Sequence, residues 1–259
     1  MSVVLVDISD GIATITLNRP ESRNALNPEL ATAFPQAIID CDARDDVLAM
    51  VLTGADPAFC AGFDLRELST RERGAAPSPP PPWRAAIPPH RKPVIGAING
   101  AAVTGGFEIA LACDFLIASE QARFADTHAR VGLLPGWGLT VMLPQAIGIR
   151  RAKQLSLSGA FLTATTALAW GLVNEVVPHE QLLPRACELG LQIAANPPAA
   201  VQAVLALYDE VAELPNPQAW TRENQLARQW IAHRFDRSDL AERRKTIIET
   251  GRDLAGKDA

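Results

Sequence analysis

Apolar and polar residues alternate at the start of the chain, and longer apolar runs recur further along it. Residues 3–8 and 12–17 alternate as half-buried strands do, and Asp10-Gly11 between them is a signal for a hairpin turn. Apolar runs predict further strands at 48–53, 93–98, 114–118 and 172–177. Helical segments separate these strands, so the order predicts an α/β fold of strand-strand-helix or strand-helix units.

One helix has a clear start. Asn27 is an N-cap candidate and Pro28 occupies the first helical position, which predicts a helix through about residue 43. Leu30, Phe34 and Ile38 follow at helical spacing. Pro35 lies inside this run, and it leaves open whether the helix is kinked or starts later.

The predicted secondary structure changes toward the C-terminus. From about residue 181 it is nearly all helical, with interruptions at 196–198 and 214–217. We therefore predict a core domain over residues 1–180 and a helical C-terminal subdomain over residues 181–259. Residues 74–82, GAAPSPPPP, fit neither a helix nor a central strand and predict a surface loop.

Composition narrows the class of protein. The 259 residues are 48% hydrophobic and 20% charged, with a net charge of −5 and no basic block. Nucleic acid and anionic membrane surfaces are therefore not expected partners. Cys41, Cys60, Cys113 and Cys187 are scattered without metal-like spacing, so we expect reduced thiols, no metal site and a cytoplasmic protein. The N-terminus lacks the features of a signal peptide, and no run reaches the length of a membrane span.

The stretch 99–114, NGAAVTGGFEIALACD, is the most informative part of the sequence. It follows a predicted strand, contains Gly105 and Gly106, and continues into an apolar helix with Glu108 near its start. Glycines let backbone N–H groups approach a ligand, and a helix N-terminus favours negative charge. Such a place suits an anion that develops in a transition state, with Glu108 able to move a proton beside it. The pattern points to chemistry on a carbonyl.

A second glycine loop lies upstream, over residues 54–63, after the strand predicted at 48–53. Two such loops could aim two backbone N–H groups at one oxygen atom. Two ordinary strand-to-helix turns would have the same spacing, so spacing alone leaves both interpretations open.

Several blocks resemble the crotonase superfamily, the enoyl-CoA hydratase/isomerase family. They are AFCAGFDL (58–65), KPVIGAINGAAVTGGFEIALACDFLIAS (92–119), FADTHARVGLLPGWG (124–138) and SGAFLTATTALAWGLVNEVVP (158–178). The resemblance implies a spiral of strand-strand-helix units with a helical C-terminal subdomain. It also implies a homotrimer or dimer of trimers, in which residues 181–259 assist trimer formation and cover the CoA site.

The resemblance assigns roles in the site. The backbone N–H groups of Phe63 and Gly105 would hold the thioester oxygen and stabilise an enolate. Glu108 matches the first of two acids in enoyl-CoA hydratases; the alternative is a helix-capping carboxylate. His128 stands where the second acid is expected, and Asp126 could orient its ring; the alternative is a histidine that only bonds within a loop.

Further residues are expected around the substrate. The predicted pocket comprises Cys60, Ala61, Asp64, Leu65, Gly106, Pro135, Gly136 and Trp137. Within this set we expect Cys60 to pack, Asp64 to cap a helix and Trp137 to fill volume near the acyl tail. The alternatives for Trp137 are ordinary core packing, or a shortened or reshaped pocket. Basic candidates for CoA phosphates are Arg66, Arg84, Arg91 and Lys92, although solvated surface suits most of them better. Arg243, Arg244 and Lys245 are only a loose substitute for the C-terminal basic run of the family, across a subunit boundary.

The resemblance favours an enoyl-CoA hydratase acting on an acyl-CoA thioester, with no cofactor because CoA belongs to the substrate. The replacement of the second acid by His128 keeps an enoyl-CoA isomerase open as the alternative. Other reactions of the superfamily, such as hydrolysis, dehalogenation or decarboxylation, share the same oxyanion hole. A non-catalytic acyl-CoA-binding protein is the alternative of another class, and the presence of Glu108 argues against it. The prolines at 79–82 are expected in an exposed loop near the acyl pocket.

Overall fold

The strands of this protein form two sheets. The computed structural model describes residues 2–64, 85–212, 214–234 and 244. The strands are β1 (Val4–Ser9), β2 (Ile12–Leu17), β3 (Ala49–Gly54), β4 (Ala58–Cys60), β5 (Val94–Ile98), β6 (Ala101–Val103), β7 (Phe115–Ser119), β8 (Arg123–Ala125), β9 (Leu162–Thr163) and β10 (Glu175–Val177). The helices are α1 (Pro28–Ala43), α2 (Gly105–Leu111), α3 (His128–Val131), α4 (Leu139–Ile147), α5 (Ile149–Ser158), α6 (Ala164–Trp170), α7 (Leu182–Ala194), α8 (Pro198–Ala212) and α9 (Asn216–His233). Short 3₁₀ turns occupy Pro20–Ser22 and His179–Gln181.

The first sheet has the strand order β1-β2-β3-β5-β7-β10, antiparallel only between β1 and β2. The second has the order β4-β6-β8-β9, antiparallel only between β8 and β9. Each of the pairs β3–β4, β5–β6 and β7–β8 sends one strand to each sheet. This repetition is the expected spiral of strand-strand-helix units, so the predicted fold class is confirmed.

Local sequence signals explain the first elements. Asp10 and Gly11 both have positive φ, +52° and +81°, as a two-residue hairpin turn between right-twisted strands requires. The Asn27 side chain accepts a hydrogen bond from the Leu30 N–H (2.8 Å) at the start of α1. Pro35 lies within α1 and is buried, so the helix starts at the predicted proline and continues through the second one.

The first sheet has a core on both faces. One cluster joins it to α1, α2 and the second sheet, with Phe34, Phe107 and Phe124 among its fully buried side chains. On the other face, Leu182 and Ala186 of α7 pack on strand residues such as Val51 and Ile95. The strands β3 and β5 are buried along their whole length, as central parallel strands are.

The chain divides into two units, Met1–Leu205 and Ala206–Ala259. The first holds both sheets and α7, and the predicted boundary at residue 180 stays a prediction. The second holds α9, where Arg222 Nε lies 2.6 Å from the Glu210 carboxylate. The roles expected for residues 181–259 stay predictions. No helix in the described ranges is long and apolar enough to cross a membrane.

Candidate active site

The two glycine loops come together where β4 and β6 end. A side-chain carbon placed on Gly62 would lie 3.2 Å from the Gly105 nitrogen, and one placed on Gly105 would lie 3.6 Å from the Phe63 ring. Within the described ranges, the Phe63 N–H donates to no acceptor. Gly105 begins α2, and the first N–H of a helix has no intrahelical acceptor. The two loops therefore contact each other, and each has an N–H group available to a ligand.

Thr104, just before α2, has a backbone conformation that β-branched residues rarely adopt, with φ +48° and ψ −113°. Its N–H donates to Ala125 O of the neighbouring strand (2.9 Å), and its carbonyl accepts from the Glu108 N–H (2.9 Å). These bonds hold the strained turn, which starts α2 immediately after β6 and orients the Gly105 N–H.

Glu108 lies on α2 and is almost fully buried. Its Oε1 accepts hydrogen bonds from the backbone N–H groups of Trp137 (2.7 Å) and Leu139 (3.4 Å), at the start of α4. Its other oxygen, Oε2, lies 3.8 Å from His128 Nε2. Oε1 is thus the oxygen held by the N–H groups of Trp137 and Leu139, and Oε2 is the oxygen nearest to His128.

The His128 ring is held by Asp126. The Asp126 Oδ1 atom lies 2.7 Å from His128 Nδ1 and also accepts the His128 backbone N–H at 3.1 Å. Both side chains are buried. A carboxylate at this nitrogen favours the tautomer with a proton on Nδ1, which leaves Nε2 as an acceptor facing Glu108.

Burial and hydrogen bonds oppose each other in setting the acidity of these carboxyl groups. Burial raises the pKa of Glu108, although the N–H of Trp137 and the nearby His128 pull it down. Burial also acts to raise the pKa of Asp126, but hydrogen bonds from His128 and Ser156 outweigh it, and the pKa lies below its ordinary value. Glu108 is thus the carboxyl group that protonates more readily, while Asp126 stays an anion.

Two of the residues expected around the substrate, Cys60 and Gly106, lie where α2 meets β4. Cys60 is fully buried, and burial raises the pKa of its thiol to about 12, so it is not a poised nucleophile. A side chain on Gly106 would lie 2.0 Å from Cys60 O, so these two residues set the close approach of α2 to β4.

Ala61 and Asp64 flank the Phe63 turn and bond to the 19–26 segment. The Ala61 N–H donates to Arg23 O (3.0 Å), and the Asp64 carboxylate lies 3.6 Å from the Arg19 guanidinium. Leu65 lies outside the described residues.

Trp137 packs on Phe63, with ring centroids 5.0 Å apart and planes at 54°. This aromatic pair lies between the first N–H donor and the segment that holds Glu108. Pro135 is half-buried and Gly136 is exposed in the same segment. The Gly136 N–H also acts to lower the pKa of Glu108.

Two of the basic candidates for CoA phosphates, Lys92 and Arg91, are bonded to the end of α1. Lys92 is buried, its Nζ donates to the Cys41 and Arg44 carbonyls at the end of α1, and burial lowers its pKa. Arg91 pairs with Asp42 (3.3 Å). Both side chains bond to the C-terminal end of α1, just before the chain enters β5. Arg244 is exposed, while Arg66, Arg84, Arg243 and Lys245 lie outside the described residues, as does the proline run at 79–82.

Known proteins show the same fold and family. The sequence model described as enoyl-CoA hydratase/isomerase matches residues 7–249. A probable peroxisomal enoyl-CoA hydratase 1 of Arabidopsis thaliana is 39% identical over 219 residues, covering 85% of this chain and 83% of that protein. The crystal structure of an enoyl-CoA hydratase from Mycobacterium tuberculosis H37Rv is 50% identical, with a TM-score of 0.75 over 89% of this chain and 99% of that one. An enoyl-CoA hydratase structure from Bacillus anthracis reaches a TM-score of 0.83 at 31% identity over 96% of each chain.

The fold and the paired glycine loops thus define an acyl-CoA enzyme of the crotonase superfamily. Within it, the chain belongs to the enoyl-CoA hydratase/isomerase family.

Some contacts at the site were missed by sequence reasoning. The N–H groups of Trp137 and Leu139 hold Glu108, and Ser156 of α5 bonds to Asp126. Gly138 before an apolar helix was a usable signal, because it marks a helix N-terminus that suits a carboxylate. Nothing in the local sequence distinguishes Ser156 from other helical serines.

Proposed function

We propose that this enzyme adds water across the 2,3 double bond of a 2-enoyl-CoA thioester. The observation that supports this most strongly is the facing pair of Glu108 Oε2 and His128 Nε2, 3.8 Å apart, beside two available N–H groups. The thioester oxygen would accept hydrogen bonds from the Phe63 and Gly105 N–H groups. These donors stabilise negative charge on that oxygen better than water does, because they are already oriented.

Two atoms, Glu108 Oε2 and His128 Nε2, would take part in the proton transfers. One hydrogen of the water would be donated to Glu108 Oε2 and the other to His128 Nε2, so the water oxygen is directed at C3. As the C3–O bond forms, the electrons of the double bond move to the thioester oxygen as an enolate, and Glu108 takes a proton. That proton then passes to C2 as the carbonyl re-forms. The product has gained H and OH, and Glu108 returns to its starting state.

The raised pKa of Glu108 suits both halves of this transfer, because a carboxyl group that gains a proton readily can also carry it to carbon. His128 accepts a hydrogen bond throughout and keeps its Nδ1 proton toward Asp126. The proposal requires no metal or separate cofactor, because CoA is part of the substrate.

Isomerisation of the double bond is the second candidate. It requires one group that removes a proton from C4 and returns it to C2, and Glu108 alone can do this. The single carboxylate at the reacting position favours this candidate, whereas the acceptor at His128 Nε2 favours hydration.

A panel of 2-enoyl- and 3-enoyl-CoA thioesters followed by mass spectrometry separates these reactions. Hydration adds the mass of one water, and isomerisation changes retention at constant mass. Release of free CoA would show a hydrolase. Binding without any conversion across the panel would show a non-catalytic acyl-CoA-binding protein and overturn the proposal.

We also propose a homotrimer or dimer of trimers in the cytoplasm. The exposed apolar residues on the C-terminal helices support an assembly, and the four free cysteines agree with a reducing compartment. Fractionation of cells that express a tagged chain tests the location.

A further inference from the structure

The turn at residues 19–26 is bound to the loop that carries the first N–H donor. Three backbone hydrogen bonds join it to residues 61–64. They run from the Ala61 N–H to Arg23 O (3.0 Å), from the Leu26 N–H to Gly62 O (2.7 Å) and from the Asp64 N–H to Leu26 O (3.1 Å).

This pairing determines where the Phe63 N–H points. Leu26 and Phe63 form a parallel bridge, in which the 19–26 turn bonds the peptide groups on either side of Phe63. Successive N–H groups of an extended chain point in opposite directions. Because the Asp64 N–H points to the turn, the Phe63 N–H points away from it.

Asn24 holds the turn from inside. It is fully buried, with φ +55°, a conformation that asparagine tolerates better than most residues. Its Oδ1 accepts from the Arg19 N–H (2.8 Å), and its Nδ2 donates to Ala55 O (2.8 Å) and Ala58 O (2.6 Å). One side chain therefore connects the turn to both ends of the segment that leads into β4.

Arg19 supports the same connection from the outer side. Its guanidinium donates to Ala25 O and lies 3.6 Å from the Asp64 carboxylate. Both side chains of this ion pair are largely buried, with 14% and 15% exposure, which limits screening by solvent.

We propose that Asn24 is a positioning residue for the oxyanion hole, which sets the direction of the Phe63 N–H through the 19–26 turn. This inference rests on the proposed function, since it takes Phe63 as a donor to the thioester oxygen. Asn24 does not touch the reacting atoms. Its loss would weaken stabilisation of the enolate while leaving Glu108 and His128 in place.

The test uses Asn24→Gly, which keeps the positive φ and removes the amide. The probe is acetoacetyl-CoA, whose enolate absorbs in the near ultraviolet and which has no double bond to hydrate. We expect wild type to bind it largely as the enolate. In the variant we expect the ratio of bound enolate to neutral form to fall about tenfold, part of the effect of losing a whole donor. With crotonyl-CoA, kcat should fall by a similar factor, with KM within about threefold.

Two further variants keep the result interpretable. Arg19→Met weakens the same connection from outside and should shift the enolate ratio in the same direction by a smaller factor. This variant tests the proposal even if Asn24→Gly does not fold. Ile95→Val, in the core on the far face of the first sheet, should lower thermal stability and leave the ratio unchanged.

The two possible failures are distinguishable. If wild type binds acetoacetyl-CoA with no enolate signal, the oxyanion hole and the proposed function are wrong. If wild type shows the enolate, and both Asn24→Gly and Arg19→Met fold and retain its full ratio, the function stands and the role of Asn24 is refuted.

Discussion

At the scale of single residues, the burial of the Glu108 carboxylate has a cost to stability. Glu108 is 1% exposed, and its charge is met by backbone N–H groups at the start of α4 and by His128. These partners do not fully compensate for lost hydration, because burial still raises its pKa. A residue with only a packing role would be better replaced by an uncharged one.

Replacing Glu108 by glutamine should abolish most turnover. Glu108→Gln keeps the shape and an oxygen for the Trp137 N–H but cannot take a proton. We expect kcat to fall about 10²–10⁴-fold, with little change in thioester binding, because the N–H donors are untouched. The measurement is steady-state turnover together with calorimetric binding on the thioester that proves active. Glu120→Gln, at an exposed site, is the control, and near-normal turnover in Glu108→Gln would refute the mechanism.

The same variant should be more stable at neutral pH. Since the pKa of Glu108 is raised in the native state, the native state binds protons more tightly there than the unfolded chain does. The free energy of unfolding therefore falls as pH rises from the ordinary value of 4.5 through the raised pKa. Glu108→Gln lacks this loss. We expect its Tm to exceed that of wild type at pH 8 and to converge with it toward pH 4. A lower Tm at pH 8, or a pH-independent difference, would contradict this.

Turnover should depend on His128 Nε2, the atom that faces Glu108. His128→Ala removes the acceptor for the water, and Asp126→Asn removes the anion that keeps the Nδ1 proton in place. We expect both to lower kcat, His128→Ala by about 10²-fold and Asp126→Asn by less. His233→Ala, on the exposed end of α9, is the matched control. Unchanged turnover in His128→Ala would show that the ring only bonds within its loop.

At the scale of elements, the site depends on the close approach of two loops. A side chain on Gly62 would lie 2.1 Å from Thr104 Oγ1 and 2.7 Å from Val103 O. The glycine spacing was visible in the sequence, but the second sheet was not. Its strands have only two or three residues, too few for an alternating pattern to be recognised.

Gly62→Ala tests this approach, and the chain offers a matched control. Gly62 and Gly148 have nearly the same φ, +85° and +80°, but a side chain on Gly148 would meet nothing within 4 Å. Gly148 has ψ 148°, a backbone region occupied essentially by glycine, so we expect Gly148→Ala to cost about 1–3 kcal/mol from backbone strain alone. Gly62→Ala adds steric overlap of about 1–3 kcal/mol and a loss of turnover. Urea unfolding and steady-state assays measure both, and equal effects would refute the packing argument.

At the scale of the whole molecule, the described part of the second unit carries exposed apolar side chains. Tyr208, Trp220 and Ile231 are 71%, 68% and 57% exposed, and neither α8 nor α9 has a buried residue among those described. Helices usually bury one face against a neighbour. This surface is the physical reason to expect an assembly.

We expect three or six chains of 27.8 kDa per particle in solution. Light scattering coupled to size-exclusion chromatography over a dilution series gives the mass. Dissociation should expose Trp220 further and shift its fluorescence to longer wavelength. A monomer that persists at all concentrations would contradict the expected trimer.

Local sequence determined one helix start, the strands of the first sheet and the candidate acid. The Asn27-Pro28 start of α1, the strands of the first sheet and Glu108 near two glycines are short-range patterns, because capping, periodicity and turns involve residues close in the chain. Only the tertiary structure decided which atoms are available. Trp137 reaches Glu108, and the turn containing Asn24 orients Phe63, across about thirty to forty intervening residues. Lys92, one of the basic candidates from the sequence, bonds the carbonyls at the end of α1. Such partners depend on how separate segments pack, which no local pattern encodes.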